Sequence, residues 1–153
     1  MGVLDGLAAC AGSWRGTNTL HDPHSGQAQE SPGTATVTPV LGGRFVRVEY
    51  TWEYQGTPQE GSLLIGYDPG VGELHAHWVD TWHMGHAGFP CRGPAPGGPT
   101  LAVRGSYPAP PGPDWGWRIE LTPDGGEALR MAMVNIWPEG REDPAVEATY
   151  TRA

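Results

Sequence analysis

The densest run of chemically capable side chains is Leu74 to His86, reading LHAHWVDTWHMGH. Side chains on a strand alternate between its two faces. Trp78, Asp80 and Trp82 would then share one face, and His75, His77, Val79, Thr81 and His83 the other. A His-x-His pair on a strand points two imidazoles the same way, and His83 or His86 could complete a three-histidine zinc site. The plainer alternative is a solvated outer face whose histidines hold nothing, because two-residue spacing alone is a weak motif. On the opposite face, Asp80 stands between two indoles. A carboxyl withdrawn from water in this way can serve as an acid or a base. The plainer alternative is an Asp that accepts hydrogen bonds from neighbouring strands or pairs with Arg44 or Arg47.

A third chemistry is apolar binding. Tyr50, Trp52, Trp78, Trp82, Met131, Met133, Asn135 and Trp137 fall on proposed inward faces of three strands, with Asp80 as a polar anchor. Flexible methionines and flat aromatics suit an apolar guest. They also suit a core that simply fills itself. No serine nucleophile elbow, phosphate loop or dinucleotide glycine pattern is present.

The elements that would carry these residues are short strands. Val3 to Ala11 can make about two helical turns, with Leu4, Leu7 and Ala8 on one face. After that the apolar period becomes two. Strands are expected at 13–20, 28–40, 45–54, 62–67, 73–82, 101–107, 116–122, 129–137 and 146–152. Gly42-Gly43, Gln55-Gly56, Asp68-Pro69-Gly70 and Pro123-Asp124-Gly125-Gly126 supply the turns. The Pro- and Gly-rich stretch from Pro90 to Pro113 reads as loop apart from its one strand. With no long helix between strands, a parallel sheet is excluded. An antiparallel meander of eight to ten strands curls and closes, which removes its edges. The expectation is therefore all-β: an antiparallel up-and-down barrel spanning residues 1–153 as one domain, with a short N-terminal helix plugging one end.

The 24 Gly and 16 Pro would suggest disorder were they not accompanied by 7 Trp and 5 Tyr. A formal charge of −8 disfavours a nucleic-acid partner or an anionic membrane surface. Cys10 and Cys91 are far apart and form no CxxC pair, so both are expected as reduced thiols of a cytoplasmic protein. The N-terminal residues lack the basic and apolar regions of a signal peptide, and no apolar run approaches a membrane span.

Gly12-Ser13-Trp14-Arg15-Gly16, placed just after a helical stretch, resembles the G-x-W opening strand of the calycin superfamily, which includes lipocalins, fatty-acid-binding proteins and nitrobindins. More closely, L-G-G-R-F at 41–45, Glu60-Gly61, I-G-Y-D at 65–68, W-V-D-T at 78–81 and Y-T-R at 150–152 resemble a family of bacterial lipocalin-like barrels without an established function. The resemblance implies a barrel and a cavity but no reaction. It also implies that Arg152 packs over Trp14, since an arginine near the chain end does so in calycins. Nitrobindins use a histidine of the late strands to hold haem; here the last histidine is His86, leaving Met131, Met133 or a mid-chain histidine as substitutes. The segment between Phe89 and Pro113 departs from the family pattern.

The expected function is binding of a small hydrophobic molecule in the barrel, with no cofactor and no metal. The alternatives are an isomerase or hydrolase using Asp80, and a haem-binding, nitrobindin-like protein.

Overall fold

The computed structural model describes residues 2–153. Its ten strands are β1 (Gly12–His21), β2 (Ala28–Val40), β3 (Phe45–Tyr54), β4 (Thr57–Asp68), β5 (Glu73–Asp80), β6 (Phe89–Pro94), β7 (Leu101–Tyr107), β8 (Trp115–Asp124), β9 (Ala128–Ile136) and β10 (Glu142–Arg152). One helix, α1 (Asp5–Ala8), precedes them. Every strand pairs antiparallel with its sequence neighbours, and β1 pairs with β10, closing the barrel.

Period-two patterning explains the walls. On β2, Ala35 and Val37 are buried while Thr34, Thr36 and Thr38 are exposed. On β3, Val46, Val48, Tyr50 and Trp52 point inward and the residues between them are exposed. On β10, Val146, Ala148 and Tyr150 do the same. The inward sets merge into one apolar core that includes Trp14, Leu63, Ile65, Trp78, Ile119, Met131 and Met133. The face expected for Met131, Met133 and Asn135 is the inward one.

The two barrel ends differ. At one end Leu4 and Leu7 of the helical segment join the core with Cys10, so the helix acts as the expected plug. That helix is shorter than the Val3–Ala11 span expected; after Ala8 the chain tightens, with Cys10 N–H donating to Leu7 O at 2.9 Å. At the other end lie the turns joining β1–β2, β3–β4, β5–β6, β7–β8 and β9–β10. This is the mouth.

Two strand boundaries differ in ways that matter. The fifth strand stops at Asp80 and not at Trp82, because the Asp80 carboxylate accepts the backbone N–H groups of Trp82 and His83, both at 2.8 Å, and turns the chain. Pro90 to Pro94, expected as loop, belongs to the strand Phe89–Pro94, which pairs with β5 over six residues. Prolines weaken strands because they cannot donate to the ladder. Pro90 and Pro94 are tolerated because β6 is firmly bonded on one side; towards β7 its only register pair is Arg92 with Arg104. The backbones nevertheless approach closely there: a Cβ on Gly93 would lie 1.9 Å from Ala102 O, so only glycine fits.

Candidate functional site

The site is built where β5 ends and turns back over the mouth. Asp80 is 3% exposed and carries no ion pair with Arg44 or Arg47. Its Oδ2 accepts from the Tyr50 hydroxyl at 2.7 Å and from Trp52 Nε1 at 3.4 Å. Its Oδ1 accepts the two turn N–H groups. The Tyr50 hydroxyl in turn accepts from Trp78 Nε1 at 2.8 Å. Burial and the neighbouring Asp80 charge push the Tyr50 phenol far above its ordinary range, so it remains a donor to the carboxylate. Gly61 faces this hydroxyl on β4, and a Cβ there would lie 2.2 Å from it. Every contact of Asp80 is thus a donor, in a network that ties β3, β5 and the following turn together.

The turn after Asp80 changes the fate of the histidines. His75 and His77 lie on the outer wall of β5, with His75 Nε2 3.5 Å from Glu73 Oε2. His86 is exposed in the turn. His83, expected on the same face as His75 and His77, instead folds back over the mouth. Its ring lies 5.7 Å from Trp52, 5.6 Å from Trp78, 4.8 Å from Trp82 and 5.4 Å from Trp117, centroid to centroid. Burial pushes the His83 imidazole below its ordinary value of 6.5, and the Asp80 charge opposes this only in part. The four candidate zinc ligands are therefore not brought together. Among the described residues no group of three or more His, Cys, Asp or Glu is placed to hold a metal ion.

Beside His83 is a cavity of about 210 Å³ lined by Leu20, Trp82, Trp117, Asn135 and Ala145, with His21, Pro23, Asp143 and Pro144 at its rim. Trp117 stacks on Trp78 at 5.4 Å with an interplanar angle of 11°, and its Nε1 is buried without a partner. Trp82 packs edge-on against Trp52 at 5.8 Å and near Tyr54 at 5.1 Å. Asn135 Oδ1 accepts from the Tyr107 hydroxyl.

Of the residues expected to line a pocket, Trp82 and Asn135 line this cavity, while Tyr50 and Asp80 contribute to a separate depression with Thr34, Thr36 and Val79. Tyr50, Trp52, Trp78, Met131 and Met133 are packed into the core beneath the cavity, each 3% exposed or less. Trp137 lies past the end of β9 and stands on the rim, tilted against Trp115 at 4.4 Å, with its Nε1–H donating to Asp143 at 2.6 Å. Trp117, Leu20 and the inward position of His83 were not anticipated. Trp117 was legible in the alternation of Trp117, Ile119 and Leu121 on β8. His83 was not, because a turn follows no period.

Haem does not fit these residues. The strands from β8 onward contain no histidine. Met131 and Met133 are each 1% exposed in packed core. The cavity of about 210 Å³ falls short even of the roughly 300 Å³ at which drug-sized pockets begin.

Comparison with known proteins agrees with the fold. The chain resembles the crystal structure of Rv2717c from M. tuberculosis, with a TM-score of 0.66 and 14% identity over 100% of this chain and 98% of that one. It also resembles a redesigned beta barrel, with a TM-score of 0.51 and 13% identity over 97% of this chain and 95% of that one. At such identities the likeness concerns fold alone. No curated protein matches the chain. No helix is long and apolar enough to cross a membrane, which leaves strands unaddressed. Residues 5–152 match one family over nearly their whole length, and the chain belongs to that family, DUF1579, described as proteins of unknown function.

Proposed function

We propose that this protein binds a small hydrophobic molecule at the barrel mouth, in the cavity beside His83. The observation that carries the reading is the cavity of about 210 Å³ walled by Trp82, Trp117, Leu20 and Ala145. Small barrels either fill with side chains or hold one small ligand. Here the middle is filled and the space is displaced to the mouth. An engineered cavity of about 150 Å³ lined by apolar side chains accepts benzene, so this one suits a molecule of about one ring. It could also take the end of a longer chain that projects past Pro23 and Pro144. A calycin-type relationship is part of the same reading, supported by the Arg152 guanidinium lying over Trp14.

The enzyme reading with Asp80 as acid or base loses ground to this one, because four donors engage both Asp80 oxygens and Asp80 does not line the cavity. The test is titration with α-methylstyrene followed by tryptophan fluorescence. The expected result is saturable quenching that disappears in Ala145→Trp, where the new indole fills the cavity. Linear, non-saturable quenching in the wild-type protein would refute the reading.

A further inference from the structure

The walls of the mouth cavity say more than that it is apolar. Apart from His83 and the rim residues His21 and Asp143, the polar side chains of its wall are uncharged, Asn135 and Trp117 among them. Asn135 has its Oδ1 occupied by the Tyr107 hydroxyl, so the part of the amide left for a guest is the NH2 group. Trp117, on the adjoining strand, lines the same cavity and keeps its Nε1–H buried with no acceptor. A buried donor without a partner costs free energy until an acceptor satisfies it. Trp117 and Asn135 are register partners on β8 and β9, so the two side chains adjoin on one patch of wall.

The charged groups near the cavity are already spoken for. Asp143 accepts from Trp137 Nε1 at 2.6 Å, and His21 faces Glu147 at 3.2 Å. The Asp80 carboxylate beneath is saturated by donors and would repel an anion. Trp82 and Trp117 both line the space and both pack against His83, with ring centroids 4.8 and 5.4 Å away.

Building on the binding proposal above, we infer that the ligand is a flat, uncharged molecule bearing a hydrogen-bond acceptor such as a ring-conjugated carbonyl, which takes hydrogen bonds from the Asn135 amide and the Trp117 indole. Burial disfavours the charged form of His83 beside that guest. A purely apolar ring would fill the cavity but leave the donors unsatisfied. A cation would meet the positive ends of both N–H dipoles.

Three single-ring probes, the first two matched in size, separate the possibilities. Acetophenone carries the acceptor, α-methylstyrene replaces its oxygen with CH2, and benzyltrimethylammonium carries a positive charge. Calorimetric titration at pH 7.5 is expected to show acetophenone binding about tenfold more tightly than α-methylstyrene, the worth of one buried hydrogen bond. The ammonium is expected to bind most weakly. The preference should shrink towards unity in Asn135→Leu or Trp117→Phe, while α-methylstyrene affinity stays within about threefold. Far-UV circular dichroism confirms that each variant is folded. Equal affinity of acetophenone and α-methylstyrene, or tightest binding of the ammonium, would overturn the inference and leave the apolar site standing. A preference unchanged in both variants would overturn it too. Failure of all three probes to bind would remove both the inference and the binding proposal beneath it.

Discussion

The Arg152 guanidinium lies 4.3 Å from the centre of the Trp14 ring, and the two residues are register partners across the seam between β1 and β10. The same guanidinium donates to Ala11 O at 2.6 Å, Gly126 O at 2.9 Å and Ala9 O at 3.0 Å. It thereby joins the C-terminal end of α1, the β8–β9 turn and the first strand. Trp14 is itself held by its Nε1, which donates to Cys10 O at 2.8 Å. Arg152→Ala removes the stacking and leaves three carbonyls to water. We expect it to lower stability by about 1–2 kcal/mol. Arg152→Lys should recover only part, because an ammonium has neither the plane nor the fork. Chemical denaturation measures both, and an unchanged midpoint for Arg152→Ala would contradict the role given to this contact.

Asp80 separates a structural carboxylate from a catalytic one. Asp80→Ala strands the Tyr50 hydroxyl and two turn N–H groups, and should cost about 3 kcal/mol. Asp80→Asn keeps the shape but turns an NH2 group towards at least one donor, and should cost about 1–2 kcal/mol. If the Asp acted in chemistry at the mouth instead, Asn would fold with little loss. Thermal melts of the two variants decide between these outcomes.

Stability should fall with acid in a window set by His83. Its folded value lies below the ordinary 6.5 because burial penalises the charged ring. Below about 6.5 the unfolded chain therefore takes up a proton that the folded chain resists, and stability declines as pH falls. Asp80 is the charged group facing it, and it softens the effect without reversing it. His83→Phe keeps an aromatic ring among the indoles and removes the titration. Melting points measured from pH 7.5 to 5.5 should slope less in this variant than in the wild type. Equal slopes would show that the imidazole is not what titrates. Glu147 is held low chiefly by its bond to His21, so its contribution is lost only in stronger acid, as pH falls through the carboxylate range.

Neither thiol should react in the native protein. Cys10 and Cys91 are both buried and free, and burial alone pushes the Cys91 thiol up to about 12. A thiolate is the reactive form, so a disulfide reagent at pH 8 should label both cysteines only after unfolding. Rapid stoichiometric labelling of the folded protein would show an opening that the barrel does not reveal.

The walls of the barrel were legible because each strand obeys a period of two and each turn carries its own glycine, proline or aspartate. Three strands, at 28–40, 45–54 and 101–107, could be bounded to the residue. The mouth was less legible for a physical reason. It is made where strands stop, and stopping is decided by tertiary contacts such as the bond from Trp82 N–H to Asp80 Oδ1. Extending β5 by two residues kept Trp82 on an inward face but sent His83 outward, away from the indoles it touches. β6 was hidden by its prolines, whose tolerance depends on how little β7 asks of that strand. Asn135 could be placed by alternation, whereas its role as a donor depends on Tyr107, reached only through the fold.

Closure between β1 and β10 has a consequence for how the chain is made. Hydrogen-bonding groups along one side of β1 find their partners only when residues 142–152 arrive. During synthesis on the ribosome, everything from β1 to β9 can form as a curling meander, but one edge of β1 stays bare until the last strand has emerged. A bare edge is a template for pairing with another chain. The late arrival also makes this the longest-range pairing in the barrel, and such contacts slow folding. A chain truncated before Glu142 should therefore aggregate through β1 and β9, and supplying residues 142–152 as a separate peptide should suppress that aggregation by completing the ring.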